Sequence, residues 1–289
     1  MTRTTDRVAL DDWYAVETSA ELGAIPMRNR LLGQDIVSRR LADGAPLIRE
    51  VLDDGSFGPP LPVAERYGCV WTSLGTPVRP IVDIPEAAET DRRFVPCGWV
   101  KMRASGLRIV ENFLDMAHFP FVHTDILGAE PYTEVPQYQS EIRRDVDEVW
   151  ATNCTFFQPR IAATEDKGDF VHLTYRVPSP FIVMLYRVCP TSPNRLDAIA
   201  LFIQPIEEDL CRAQPVMYLV DSLSTQTALL RFEQVIFLQD RIIVENQRPL
   251  LLPLEPRAEI PTRADSSSIA YRRWLKEKGI RYGTTNRAA

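Results

Sequence analysis

Residues 111–123 read Glu-Asn-Phe-Leu-Asp-Met-Ala-His-Phe-Pro-Phe-Val-His, and they hold two of the chain's three histidines, His118 and His123. Chemistry that needs paired imidazoles must therefore use this stretch. On a straight helix, residues five apart point about 140° away from each other. Pro120 sits between the two, and a proline breaks or kinks a helix. The break lets the chain turn His123 back towards His118. Asp115 is three residues before His118 and shares its helical face. Phe113, Phe119, Phe121 and Val122 make the surroundings apolar. Ring nitrogens buried there need partners, and a metal ion supplies one. Imidazole suits iron, copper, zinc and nickel alike, so these residues alone do not choose the metal.

Outward from this stretch, residues 104–119 have helical periodicity, with Leu107, Val110, Leu114 and Ala117 on roughly one face. Pro120 should end that helix. Residues 135–220 read as an antiparallel meander: EVWATNCTFFQP, FVHLTYRV, FIVMLYRVCP, LDAIALFIQPI and AQPVMYLVD are strands separated by turns. A long helix is expected from about Leu223 to Arg248, stopped by Pro249. A last one is expected over Ser266–Lys278, with Asp265 as N-cap and Gly279 just past its end. Upstream, residues 12–41 read as short strands, 43–62 as turns and loop, and YGCVWTSLG (67–75) as a strand. The proline-spaced TPVRPIVDIP (76–85) reads as a boundary between a domain over residues 1–80 and another over 81–289.

A third metal ligand has to come from elsewhere. Asp240 has Ile236 and Phe237 behind it and Ile243 and Val244 ahead, which places a carboxylate on the apolar side of the long helix. A buried carboxylate must coordinate something or be paired. Glu233, seven residues earlier on the same face, competes for the role. Glu245 pairs with Arg241 and Arg248 on the other face. Phe113, Phe156 and Phe157 are candidates to line a cavity, and His172 is a candidate substrate contact, though such residues more often belong to core or surface.

Composition excludes several classes. A net charge of −6 argues against nucleic acid as partner. The longest apolar stretch, Pro180–Tyr186, is far too short to span a bilayer, and the polar, acidic N-terminus shows no signal peptide. The five cysteines are odd in number and scattered, which fits reduced thiols in a cytoplasm better than disulfides or zinc.

ENxxDxxHxxxxH, as it stands at 111–123, resembles the iron-binding signature of the Rieske non-haem iron oxygenases. YGCVWTSLG resembles the strand closing that family's Rieske domain, FLQDRIIVENQ its late ligand-bearing helix, and RADSSSIAYRRWL the C-terminal helix of its monooxygenase and demethylase branch. The resemblance implies an α+β fold: a shortened Rieske-like β-domain, then a helix-grip (START-like) catalytic domain with an antiparallel sheet and a long C-terminal helix. It implies mononuclear Fe(II) held by His118, His123 and Asp240, so that it favours Asp240 over Glu233. It also implies Asp115 as the bridging acid through which electrons arrive, Asn112 just outside the ligands, and O2 as co-substrate.

The chain departs from the family in one respect. A Rieske [2Fe–2S] centre needs two Cys and two His, arranged as CxH and CxxH. No histidine here lies within three residues of any cysteine, and residues 40–67 hold neither residue type. One group in the family shares this pattern, the Rieske-less catalytic subunits of methylxanthine N7-demethylation. HFPFVHTDILGAEP and AYRRWLKEKG resemble it closely. That resemblance implies a monooxygenase subunit performing oxidative N-demethylation. Electrons would come from a cluster-bearing oxygenase subunit or from a reductase with an extra Rieske centre, in a trimer-based hetero-oligomer. A non-catalytic structural subunit of such an assembly, or a ligand-binding helix-grip module with an idle metal site, are the alternatives.

Overall fold

The computed structural model describes residues 3–160, 168–190, 192–221 and 223–286. A short helix α1 (Arg7–Leu10) precedes seven strands: β1 (Tyr14–Thr18), β2 (Met27–Leu31), β3 (Gln34–Arg40), β4 (Pro46–Val51), β5 (Phe57–Pro60), β6 (Val63–Arg66) and β7 (Cys69–Thr72). They build two antiparallel sheets, ordered β1-β7-β6 and β2-β3-β4-β5. After the proline-spaced segment come β8 (Arg93–Pro96), β9 (Val100–Met102), α2 (Gly106–Leu114) and α3 (Phe119–Val122). Six strands follow: β10 (Gln139–Arg143), β11 (Glu148–Gln158), β12 (Asp169–Ser179), β13 (Ile182–Cys189), β14 (Ser192–Glu207) and β15 (Leu210–Leu219). The chain ends on α4 (Gln226–Asn246) and α5 (Ser266–Lys278).

β10 to β15 form the expected meander in chain order, and β8 and β9 pair in succession along β15 to complete an antiparallel sheet. The α+β helix-grip architecture follows from one-sided burial. Successive strand residues point to opposite faces, and Cys154, Phe156, Leu173, Tyr175 and Val177 bury one face of the sheet beneath α2, α4 and α5. α4 buries Leu229, Glu233, Phe237, Asp240 and Val244, a stripe at spacings of three and four residues. Two of those five inward positions are acids, while Val235, Leu238 and Ile242 are exposed on the outer face. Thr225 starts α4 by accepting a hydrogen bond from the Ala228 amide at 3.1 Å.

Three local expectations change. Residues 43–62 are not mostly loop, because they hold β4 and β5. The Asp and Gly residues there make only the tips: Asp43 and Asp54 accept hydrogen bonds from the amides of Ala45 and Ser56, both at 2.9 Å. Between the tips, Ile48 and Val51 turn inward, and Pro59 and Pro60 lie on the edge strand, where no ladder donor is needed. The helix expected over 104–119 stops at Leu114, because Asp115 is extended (ψ 128°). Pro120 therefore does not stop α2. It lies in the first turn of α3, where its missing N–H is no loss. Asp265 precedes α5 as expected, but its carboxylate accepts from the Thr262 amide at 2.6 Å and caps the preceding 3-10 turn instead. Gly279 ends α5 in the left-handed region (φ 78°).

A buried ionic cluster ties α2 to α5. Arg108, whose side chain is fully buried, donates to Glu111 at 3.0 Å and to Glu259 at 2.6 Å. Arg272 of α5 donates to Glu111 at 2.5 Å and also pairs with Glu259. Removing one partner of such a cluster strands buried charge. Arg108→Met is expected to cost about 3 kcal/mol, read as a lower urea midpoint with an unchanged slope. An unchanged midpoint contradicts this role.

Candidate metal centre and the cavity beside it

Three elements converge on His118 and His123. α2 ends two residues after Asn112, so Asp115 sits in the bend that follows. α3 then carries His118 immediately before its first residue and His123 immediately after its last. The return loop braces α3: Asp125 N–H donates to Gly128 O at 2.9 Å, and Ile126 N–H to His123 O at 3.0 Å. The Gly128 backbone lies so close to Pro120 that a Cβ would stand 2.5 Å from its nitrogen, so only glycine fits. α4 supplies Gln239 and Asp240 from above.

Both outer ring nitrogens are occupied. His118 Nδ1–H donates to Asp115 Oδ2 at 2.8 Å, and His123 Nδ1–H donates to Gln239 Oε1 at 2.8 Å. With the outer nitrogens so engaged, each ring, when neutral, presents its Nε2 lone pair to the same point. The two Nε2 atoms are 3.1 Å apart, and Asp240 Oδ1 lies 3.0 Å from that of His123 and 3.3 Å from that of His118. Three ligand atoms, each about 2.1 Å from one ion at right angles, would be about 3.0 Å from each other. Lone pairs and a carboxylate aimed at one point repel unless a cation lies between them. Without a metal ion, a proton on His118 meets part of that demand. Burial disfavours an imidazolium, yet Asp115 and Asp240 lift His118 to about 9. Burial also disfavours a carboxylate, yet the two histidines hold Asp240 down at about 2. The residues present thus fit a facial two-histidine, one-carboxylate metal site, and His118, His123 and Asp240 group as potential metal ligands.

Beside this cluster lies a cavity of ≈ 70 Å³, walled by Phe113, Phe119, Leu173, Phe232, Ile236 and Phe237 among others. One water needs roughly 10–15 Å³ of such space, so a small molecule fits. Asn112 lines it. Phe156 does not: it is buried against Phe119, with ring centres 5.4 Å apart. Phe157 stacks with Tyr132 and Phe170, away from the cavity. His172 is exposed, on the outward face of β12, with Thr155 Oγ1 at 3.2 Å. On the opposite side, Asp115 and His118 open onto a groove of ≈ 760 Å³ bordered by Ile243, Ile260, Ile269 and Arg257.

Glu233 lies in the cavity wall, and among the described residues its carboxylate has no ion pair within 4 Å. Burial pushes its carboxyl up to about 7, with Arg187 opposing and Asp240 adding to the rise. In the unfolded chain it titrates near 4.3, so between about pH 4.5 and 7 the folded state binds more protons than the unfolded state. Stability therefore falls as pH rises through that window and levels off above it. In metal-free protein, Glu233→Gln removes this cost, on the order of 3–4 kcal/mol. The gain in urea midpoint is expected to be clear at pH 8 and much smaller at pH 5. Equal gains at both pH values contradict it.

Sequence reasoning missed Gln239, Tyr175 and Arg187. Gln239 adjoins Asp240, and a polar side chain next to a buried acid is the only trace it leaves. The other two are marked only by register. Tyr175 pairs with Leu185, and Arg187 with Leu173, on the sheet face beneath α4.

A long helix thus lies over an antiparallel sheet, with two histidines and a carboxylate gathered between them as potential metal ligands. The Vanillate O-demethylase oxygenase C-terminal domain family matches residues 102–279. The chain belongs to this branch of the Rieske-type oxygenases, and it is an enzyme of their monooxygenase and demethylase kind. It is 45% identical to "Probable methylxanthine N7-demethylase NdmC" of Pseudomonas sp. (strain TJI-51), over 96% of each chain. It is 26% identical to "Methylxanthine N1-demethylase NdmA" of Pseudomonas putida, over 74% of this chain and 59% of that protein. Among solved structures, Pseudomonas putida CBB5 NdmA with caffeine superposes with a TM-score of 0.75 at 20% identity, covering 93% of this chain and 91% of that one. Members of the family work in multicomponent systems with non-haem iron and O2. Among the described residues, no helix is long and apolar enough to cross a membrane.

Proposed function

We propose that the chain is the catalytic subunit of a cytoplasmic, O2-dependent N-demethylase acting on a methylxanthine. His118, His123 and Asp240 would hold one Fe(II). The convergence of their three ligand atoms beside an apolar cavity carries this reading. The bound iron supplies the centre at which O2 is activated. The chain's own residues do the rest. Gln239 and Asp115 hold the imidazoles with their Nε2 atoms facing the ion. The aromatic and aliphatic walls exclude water and press an N-methyl group towards it. Overall, one oxygen atom enters a C–H bond of the methyl group. The other leaves as water, which consumes two electrons and two protons. The resulting N-hydroxymethyl group breaks down to N–H and formaldehyde.

The electrons come from outside the chain on this reading, since residues 1–80 would form a Rieske-like β-domain without a [2Fe–2S] cluster, joined to the catalytic domain over 81–289. Asp115, bonded to His118 and open to the groove on its far side, is where a partner's Rieske centre would approach. Exposed Ile243, Ile260 and Ile269 around that groove, and Val235, Leu238 and Ile242 along α4, offer the apolar contact surface that work within a trimer-based hetero-oligomer would need. The test supplies the purified chain with Fe(II), a reductase carrying a Rieske centre, NADH, O2 and 7-methylxanthine. One formaldehyde per ring demethylated is expected. No formaldehyde from iron-loaded protein and a reduced donor would favour the structural-subunit alternative.

A further inference from the structure

The cavity beside the metal cluster concentrates hydrogen-bonding atoms that have no partner. Gln158 Oε1 and Tyr175 Oη are buried and unbonded, and both side chains line it. Glu233 lines it as well and makes no ion pair within 4 Å among the described residues. Arg187, the nearby cation, is 3.6 Å from Asp197 rather than bonded to Glu233. A buried polar atom without a partner is costly, and a fold that gathers several in one cavity is complementary to something that bonds them.

Their placement gives the shape and polarity of that something. Glu233 and Asp240 share the buried face of α4, seven residues and therefore about 10 Å apart along its axis. A ligand with one end at the metal cluster and the other at Glu233 has to be longer than a single small ring, and a fused bicyclic ring fits that span. The flanking walls are flat and apolar, with Phe113 edge-on to Tyr175, their ring centres 6.2 Å apart. Glu233 and Gln158 offer acceptors, and Tyr175 offers an O–H donor. The complementary ligand has ring N–H donors beside a carbonyl.

We propose that Glu233, Gln158 and Tyr175 are the specificity-determining residues of this site, and that they select a neutral fused-ring lactam or imide that keeps at least one ring N–H. The assignment rests on the proposed demethylase function and adds the residues that choose among its substrates. Glu233 and Gln158 accept from ring N–H groups, and Tyr175 donates to a ring carbonyl. A ring with those nitrogens methylated leaves the acceptors buried and unpaired.

The test is anaerobic calorimetry on the iron-loaded protein, with no turnover. The probes are 7-methylxanthine, theobromine, paraxanthine and caffeine, which differ only in which ring nitrogens carry hydrogen. Wild type is expected to bind 7-methylxanthine at least about tenfold more tightly than caffeine. Glu233→Gln and Gln158→Met are expected to narrow that ratio to about threefold or less with iron content unchanged. Tyr175→Phe, which removes a single oxygen atom, is expected to weaken all four probes by a similar factor of about five to ten. Unchanged preference in the Glu233 and Gln158 variants overturns this assignment while leaving the demethylase function standing. Failure of iron-loaded wild type to bind any of the four overturns both.

Discussion

His118→Ala is expected to leave the chain folded and without iron. Metal analysis should fall from about one iron per chain to about a tenth or less, and formaldehyde production should fall to background. The size of the effect follows from the ligand count. Each of the three side chains supplies one atom to a site with no spare donor among the described residues, since Glu233 lies outside the ligand group. Asp240→Asn is expected to act in the same direction, because it removes the charge that balances a divalent ion between two neutral imidazoles. Glu233→Gln is the informative control: it changes a buried acid on the same face of α4 and should keep its iron. Iron retained in both His118→Ala and Asp240→Asn would show that the metal is held elsewhere.

Asp115→Asn is expected to separate holding the metal from using it. The amide oxygen of asparagine still accepts from His118 Nδ1–H, so iron content and affinity for the ring should change by less than about threefold. Donor-supported turnover should fall about 10–100-fold, the usual effect of altering a ligand's hydrogen-bond partner. Asp115 stands between His118 and the outer groove, so the loss should appear in turnover fed by the Rieske donor. A single turnover of protein reduced beforehand should be largely spared. Equal loss in both would make Asp115 a positioning group for His118 alone. No loss in either would remove it from the account.

Much of this architecture is legible in the sequence for identifiable reasons. The meander over 135–220 shows because one face of the sheet is buried, which imposes alternation on β11 and β12. The segment 111–123 shows because histidine is scarce and two of the three lie together. Asp240 is visible as an acid on an apolar helical stripe, but Glu233 meets the same description. Only the three-dimensional path of α3 shows which acid lies within 3.3 Å of both imidazoles. The break after Leu114 was hidden because Asp115, Met116 and Ala117 carry no helix-stopping composition, and it follows from where Asp115 is needed. β4 and β5 were hidden because their hairpin tips dominate the local composition. The orphaned Gln158 and Tyr175 could not be read from the sequence at all, since an unpaired atom is a property of neighbours that arrive from four strands and three helices.

The central claim is that His118, His123 and Asp240 hold a single iron. Its most direct test is the anomalous diffraction signal at the iron edge from crystals of protein loaded with Fe(II) without oxygen. The account predicts one peak per chain, about 2.1 Å from Nε2 of His118, Nε2 of His123 and Oδ1 of Asp240. A peak ligated by Glu233 with Asp240 free, or iron bound only outside this cluster, would contradict it.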